Sequence, residues 1–160
     1  MTTIAMPARE FIRRETRVSV AINAVLSSLF YVLIFGRLDP VPAWGMGQWV
    51  FDFAPQGFMV ALMSVLVPGT LAARKLRAGI LEPTDDGSRL PASLAARALL
   101  MASFCAAAGT GFVAALAGLS GIDALPLVTA LPVKIAYGAA LAAIITPFGL
   151  RAALTRRVEV

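Results

Sequence analysis

Residues Asp52–Gly79 read DFAPQGFMVALMSVLVPGTLAARKLRAG. The stretch opens on an acid and a proline, runs uncharged from Phe53 to Ala73, and closes on Arg74, Lys75 and Arg77. As a helix rising 1.5 Å per residue, the part from Pro55 to Ala73 covers most of a hydrocarbon core about 30 Å thick. The basic cluster then marks its cytoplasmic end, because lysine and arginine accumulate on that side of a membrane. One transmembrane helix over residues 55–73 is the reading that organises the rest of the chain.

Three further apolar blocks flank it, at residues 18–36, 97–118 and 133–150. Composition agrees: of 160 residues, 59% are hydrophobic and only 14% charged, and the mean hydropathy is +0.81. Soluble domains carry about 25% charged residues, so the expected class is an all-α polytopic integral membrane protein with four crossings. Residues 1–17, with Arg9, Arg13, Arg14 and Arg17 alternating with Glu10 and Glu15, read as a cytoplasmic interfacial helix. Residues 37–54 and 119–132 read as outer loops, 74–96 as a cytoplasmic loop, and 151–160 as a cytoplasmic tail.

Topology follows from the basic residues. Arg9, Arg13, Arg14, Arg17, Arg74, Lys75, Arg77, Arg89, Arg97, Arg151, Arg156 and Arg157 fall on one side, against Arg37 and Lys134 on the other. Both termini are therefore expected in the cytoplasm, with the bacterial inner membrane as the expected location and anionic lipids as neighbours of the basic face. The net charge of +5 sits at the ends of apolar blocks and forms no nucleic-acid footprint. With no histidine, and one cysteine, Cys105, inside an apolar block, neither a cofactor nor a metal is expected.

Within the blocks, a few residues stand out. Asn23 and Ser27 form an i, i+4 polar pair in the first crossing, suited to interhelical hydrogen bonds or to a polar strip. Trp44, Trp49, Phe51 and Phe53 suit the membrane–water boundary. Pro68 and Pro147 lie inside crossings, where a missing N–H predicts kinks. Met59 and Met63, also i, i+4, lack a cysteine or histidine partner and read as packing or lipid-facing residues rather than metal ligands. Ala107, Gly111 and Ala115 form a small-residue row in the third crossing, with Ala114 and Gly118 on a neighbouring one; such rows allow close helix approach, at the bundle centre or at a subunit interface.

A faint repeat runs through the chain. Tyr137, Ala140, Leu141, Pro147, Leu150, Ala152 and Arg156 fall 79 residues after Phe58, Ala61, Leu62, Pro68, Leu71, Ala73 and Arg77. This echo suggests two helical hairpins in parallel orientation about a pseudo-two-fold axis along the membrane normal. In this register Lys134 matches Pro55, in the first turn of the fourth crossing at the outer boundary, where a lysine can snorkel. A cation at a helix N-terminus opposes the helix dipole, so Lys134 is expected to seek an anion: Asp52, Asp123, or a bound anionic group.

Residues for catalysis are scarce, with no histidine base, no nucleophile elbow and no acidic pair inside a crossing. A non-enzymatic protein is expected, and two readings stay open. One is an accessory or structural subunit packing against other membrane helices. The other is a protomer of an oligomeric transporter or channel for a small solute or anion, with Asn23, Gln56, Lys134 and Asp52 as its ligand-contacting residues.

Overall fold

The computed structural model describes residues 6–84 and 90–155. Four long helices, each apolar and long enough to span a membrane, make up nearly all of it: α1 (Ala8–Phe35), α2 (Phe53–Arg77), α3 (Leu94–Leu119) and α4 (Leu127–Leu154). The fold is thus an all-α, four-helix membrane-spanning bundle. Among the described residues the one sheet is a two-residue antiparallel ribbon, β1 (Val41–Pro42) with β2 (Ala124–Leu125), which ties the two outer connections together.

Helix ends lie further out than the hydropathy blocks suggested. α1 contains neither glycine nor proline, so the expected interfacial helix of residues 1–17 does not break from the crossing at 18–36; both are one rod from Ala8 onward. α3 begins behind Ser93, whose hydroxyl accepts from the Ala96 N–H in an N-cap. α4 starts six residues before the expected 133, and Pro132 lies inside it. Its cap comes from far away: Asp39 Oδ1 accepts from the Leu127 N–H at 3.1 Å, setting a carboxylate at the positive end of the helix. Pro68 and Pro147 likewise sit inside uninterrupted helices, each depriving the carbonyl four residues earlier of its usual partner.

Backbone bridges Met6–Leu81 and Thr84–Thr155 join the start of α1, the α2–α3 connection and the end of α4 at one end of the bundle. Arg9, Arg13, Arg14, Arg74, Lys75, Arg77, Arg97 and Arg151 belong to this basic end, while Asp85, Asp86, Arg89, Arg156 and Arg157 lie outside the described residues. Phe11 anchors it, buried among Ala72, Leu150 and Leu154 with Lys75 Nζ 4.9 Å from its ring centre. The ribbon end holds the largest apolar cluster, built on Tyr31, Phe35, Trp49, Phe53, Val113 and Leu125. Trp49 and Phe53 are therefore core residues, and the indole of Trp49 donates to the Ala130 carbonyl. Of the residues expected at the membrane boundary, Trp44 and Phe51 are the exposed ones.

Packing pairs α1 with α4 and α2 with α3, and sets α2 against α4 in the middle; α1 and α2 scarcely touch, nor do α3 and α4. The two hairpins are thus interleaved rather than side by side, and exchanging α1 with α3 and α2 with α4 leaves the contact pattern unchanged. Close approach at the centre comes from glycines of α2 and α4. A Cβ on Gly57 would meet Tyr137 Oη at 2.8 Å and the Cys105 carbonyl at 3.1 Å, and one on Gly138 would strike Ser27 Oγ and Gln56 Nε2.

These reciprocal contacts reveal the structural register. Gly57 faces Tyr137 as Gly138 faces Gln56, a correspondence of 81 residues rather than 79. The buried faces agree: Phe53, Gly57, Ala61, Ser64, Val65, Pro68 and Gly69 shift onto Lys134, Gly138, Ala142, Ile145, Thr146, Gly149 and Leu150, all buried. A shift of 79 would place Val65 and Gly69 opposite Ile144 and Phe148, which are both more than half exposed. The proline echo is therefore not the register in which the helices pack.

The row Ala107, Gly111 and Ala115 is not at the bundle centre. It faces outward, as does Gly118, and nothing lies within 4 Å of a Cβ built on Gly111. α3 instead buries Ala98, Ala102, Cys105, Val113 and Ala117.

Candidate functional site

Lys134 is the centre of the polar chemistry. In the register above it stands where Phe53 stands in the other half. It lies two turns inside α4, not in the first turn, and the residue is only 1% exposed. Its ammonium donates to Asp52 Oδ2 at 2.7 Å and stands 3.7 Å from the centre of the Phe53 ring. Of the two carboxylates offered as alternative partners, Asp52 is the one that binds it. Asp52 directly precedes α2 and makes no side-chain cap there, so its carboxylate is committed to the lysine.

The ammonium is held by more than its counter-ion. Phe53 is clamped edge-on between Trp49 and Tyr137, with ring centres 4.9 and 4.8 Å away, and this fixes the ring face that the cation meets. Asp52 keeps 20% of its side chain exposed, against 2% for Lys134. Desolvation therefore falls mainly on the lysine, and the pair seals the cation at the ribbon end of the bundle.

From this pair a line of polar side chains runs toward the basic end. Gln56 Nε2 donates to Ser27 Oγ at 2.9 Å and to the Lys134 carbonyl at 3.1 Å. Asn23 Nδ2 donates within its own helix, to the Ser19 carbonyl at 2.8 Å. Thr146 Oγ1 donates to Ser19 Oγ at 2.9 Å, which lies 3.1 Å from Ser64 Oγ. Three helices are stitched together in this way, α1 through Ser19 and Ser27, α2 through Gln56 and Ser64, and α4 through Thr146 and the Lys134 carbonyl. Two atoms at the Lys134 end, Gln56 Oε1 and Tyr31 Oη, are buried without a partner.

The space beside this line is a groove of about 620 Å³ between α1 and α2, with Lys134 at its back. It exists because the α1–α2 connection, residues 36–52, lets α4 lie between the two helices at depth. Its rim is apolar and about half exposed, with Ile22, Phe30 and Ile34 on one side and Met59, Met63 and Val67 on the other, so it opens sideways. The two methionines are rim residues. All four expected ligand-contacting residues, Lys134, Asp52, Gln56 and Asn23, line this groove.

Sequence reading missed Ser19, Ser64, Thr146 and Tyr31. A signal existed for part of this, because Ser19, Asn23, Ser27 and Tyr31 recur at every fourth position and so form one row on α1. Ser64 and Thr146 carry no such signal; each is a single hydroxyl in an apolar helix, and only helix pairing brings them to Ser19. Among the described residues no three His, Cys, Asp or Glu side chains come together. No protein-family profile, curated protein or solved structure matches this chain.

Proposed function

We propose that the protein is a non-catalytic accessory subunit that packs beside other membrane components, with its basic end in the cytoplasm. One observation carries this reading: along the line from Lys134 to Ser19 most polar side chains bond within the chain, and several of these bonds join its own helices. The Lys134 ammonium is closed by Asp52, and Ser19, Asn23, Ser27, Gln56, Ser64 and Thr146 bond to one another or to backbone. Intramembrane ionisable groups that move ions or protons need exchangeable partners along a path. Here a neutral pair sits at one end of a groove whose rim is apolar. The outward row Ala107, Gly111 and Ala115 on α3, the least buried helix, supplies a face that another helix backbone can approach closely.

The test is a native mass measurement after extraction in mild detergent, together with a solute-flux assay in vesicles. The accessory reading expects one copy of the chain bound to a different membrane protein, and no flux from the chain alone. A closed homo-oligomer that passes a small anion, with flux lost in Lys134→Met, would establish the transporter reading instead.

A further inference from the structure

The groove between α1 and α2 has a polar end and an apolar length, and these two parts specify a ligand. At the Lys134 end the carbonyl oxygen of Gln56 is buried without a donor, and the Tyr31 hydroxyl, on a residue 1% exposed, is also without a partner. Nearer the basic end, Asn23, Ser19, Ser64 and Thr146 all have partners. The hydrogen-bonding vacancy is therefore confined to one end. A buried acceptor left without a donor is destabilising, so an occupant that brings an O–H to Gln56 Oε1 is favoured there.

Below Gln56 the groove continues along α2 to Pro68. Those twelve residues rise about 18 Å, close to one leaflet of a hydrocarbon core about 30 Å thick. One alkyl chain fits the length, and the apolar rim opens to the place where such chains are found. The neutral Lys134–Asp52 pair sets the charge of the head: a free carboxylate or phosphate monoester would meet the partly exposed Asp52, whereas a hydroxyl would not.

The other half of the bundle shows what a closed version of this cleft looks like. Gln56 corresponds to Tyr137, whose ring and hydroxyl lie against Gly57 and Gly109 and fill the space between α2, α3 and α4. Both Tyr137 Oη and Gln56 Oε1 are buried without a partner, but only Gln56 lines a groove.

We propose that the α1–α2 groove binds one acyl chain of an uncharged glycerolipid of the diacylglycerol class, whose free hydroxyl donates to Gln56 Oε1. The lipid belongs to the leaflet opposite the basic end. This goes beyond the accessory reading and does not depend on a protein partner, so each can fail without the other.

The test reconstitutes the full chain in phosphatidylcholine vesicles containing a few mole per cent of diacylglycerol with a photoreactive group on one acyl chain. After irradiation the labelled peptides are mapped by mass spectrometry. Labelling is expected between Ile22 and Phe30 and between Met59 and Val67. Unlabelled diacylglycerol competes, while its O-methyl ether, which cannot donate, competes about fivefold less well, as the loss of one hydrogen bond requires. Gln56→Leu reduces labelling by a similar factor. Because Gln56 also braces Ser27, a second variant, Met63→Trp, fills the groove from its rim without touching the polar line and abolishes labelling there. Equal labelling of the outward α3 residues Phe104 and Phe112, equal competition by the ether, or equal labelling from a photoreactive phosphatidylcholine would each overturn the assignment.

Discussion

Breaking the Lys134–Asp52 pair from its two sides should have unequal consequences. The buried member is the lysine, with 2% of its side chain exposed, while Asp52 retains 20%. Asp52→Asn leaves an ammonium inside the bundle with only the Phe53 ring and an amide to face. Removing one partner of a buried pair typically costs about 3–5 kcal/mol, because the other charge is stranded. Lys134→Met strands the carboxylate instead, but Asp52 lies just before α2 at the ribbon end and can reach water. Its loss is then mainly the cation–π contact, about 2 kcal/mol when desolvated, and methionine regains part of this through its sulfur on the Phe53 ring.

Asp52→Asn is therefore expected to destabilise the protein more than Lys134→Met by about 1–3 kcal/mol. The double variant should be more stable than Asp52→Asn alone, because no charge is then stranded. The measurement is a double-mutant cycle from reversible unfolding in mixed micelles, followed by circular dichroism as the denaturing detergent fraction rises. If Lys134→Met proves the costlier change, or if the coupling falls below about 0.5 kcal/mol, the value expected of independent sites, then the pair does not carry the burial cost assigned to it.

Three further outcomes follow from the same geometry. Gly138→Ala drives a methyl group into Ser27 and Gln56 and should cost about 1–3 kcal/mol; Gly111→Ala meets nothing and should be neutral or stabilising by up to about 1 kcal/mol, both read in the unfolding assay above. Trp44→Phe should leave a blue-shifted emission from Trp49 that aqueous iodide does not quench, and Trp49→Phe should leave a quenchable one. With Cys105 replaced by alanine, single cysteines at Arg13 and Arg74 should react with a membrane-impermeant maleimide from the same side of sealed inverted vesicles, and one at Leu38 only from the opposite side; labelling of Arg13 and Leu38 positions from one side would break the assigned topology.

Much of this was legible from local chemistry. Long uncharged blocks must become helices in a bilayer because no other backbone conformation satisfies its own hydrogen bonds there, and the basic clusters at Arg9–Arg17 and Arg74–Arg77 mark one end of them. Where reading and structure differ, the reason is local too. Hydropathy does not see that α1 lacks any residue able to break it at 17, nor that Asp39 caps α4 six residues early. The chemistry of Lys134 calls for an anion and offers Asp52 as one of three alternatives; the depth of the lysine is not legible, because the 79-residue echo places it in a first helical turn.

That register separates the two levels of information. Hydropathy, charge flanks and the need for an anion near Lys134 are properties of single segments, and the sequence by itself determined them: four crossings, their common basic end, and a lysine that seeks an anion. Which face of each helix turns inward depends on neighbours far away in the chain. An offset of two residues, from 79 to 81, rotates a helix by about 200°, enough to exchange the core face for the lipid face. Only the packing of Gly57 against Tyr137 and of Gly138 against Gln56 decides between them. The same packing turns Ala107, Gly111 and Ala115 outward, brings Ser64 and Thr146 to Ser19, and leaves a groove on the side where glutamine replaces tyrosine.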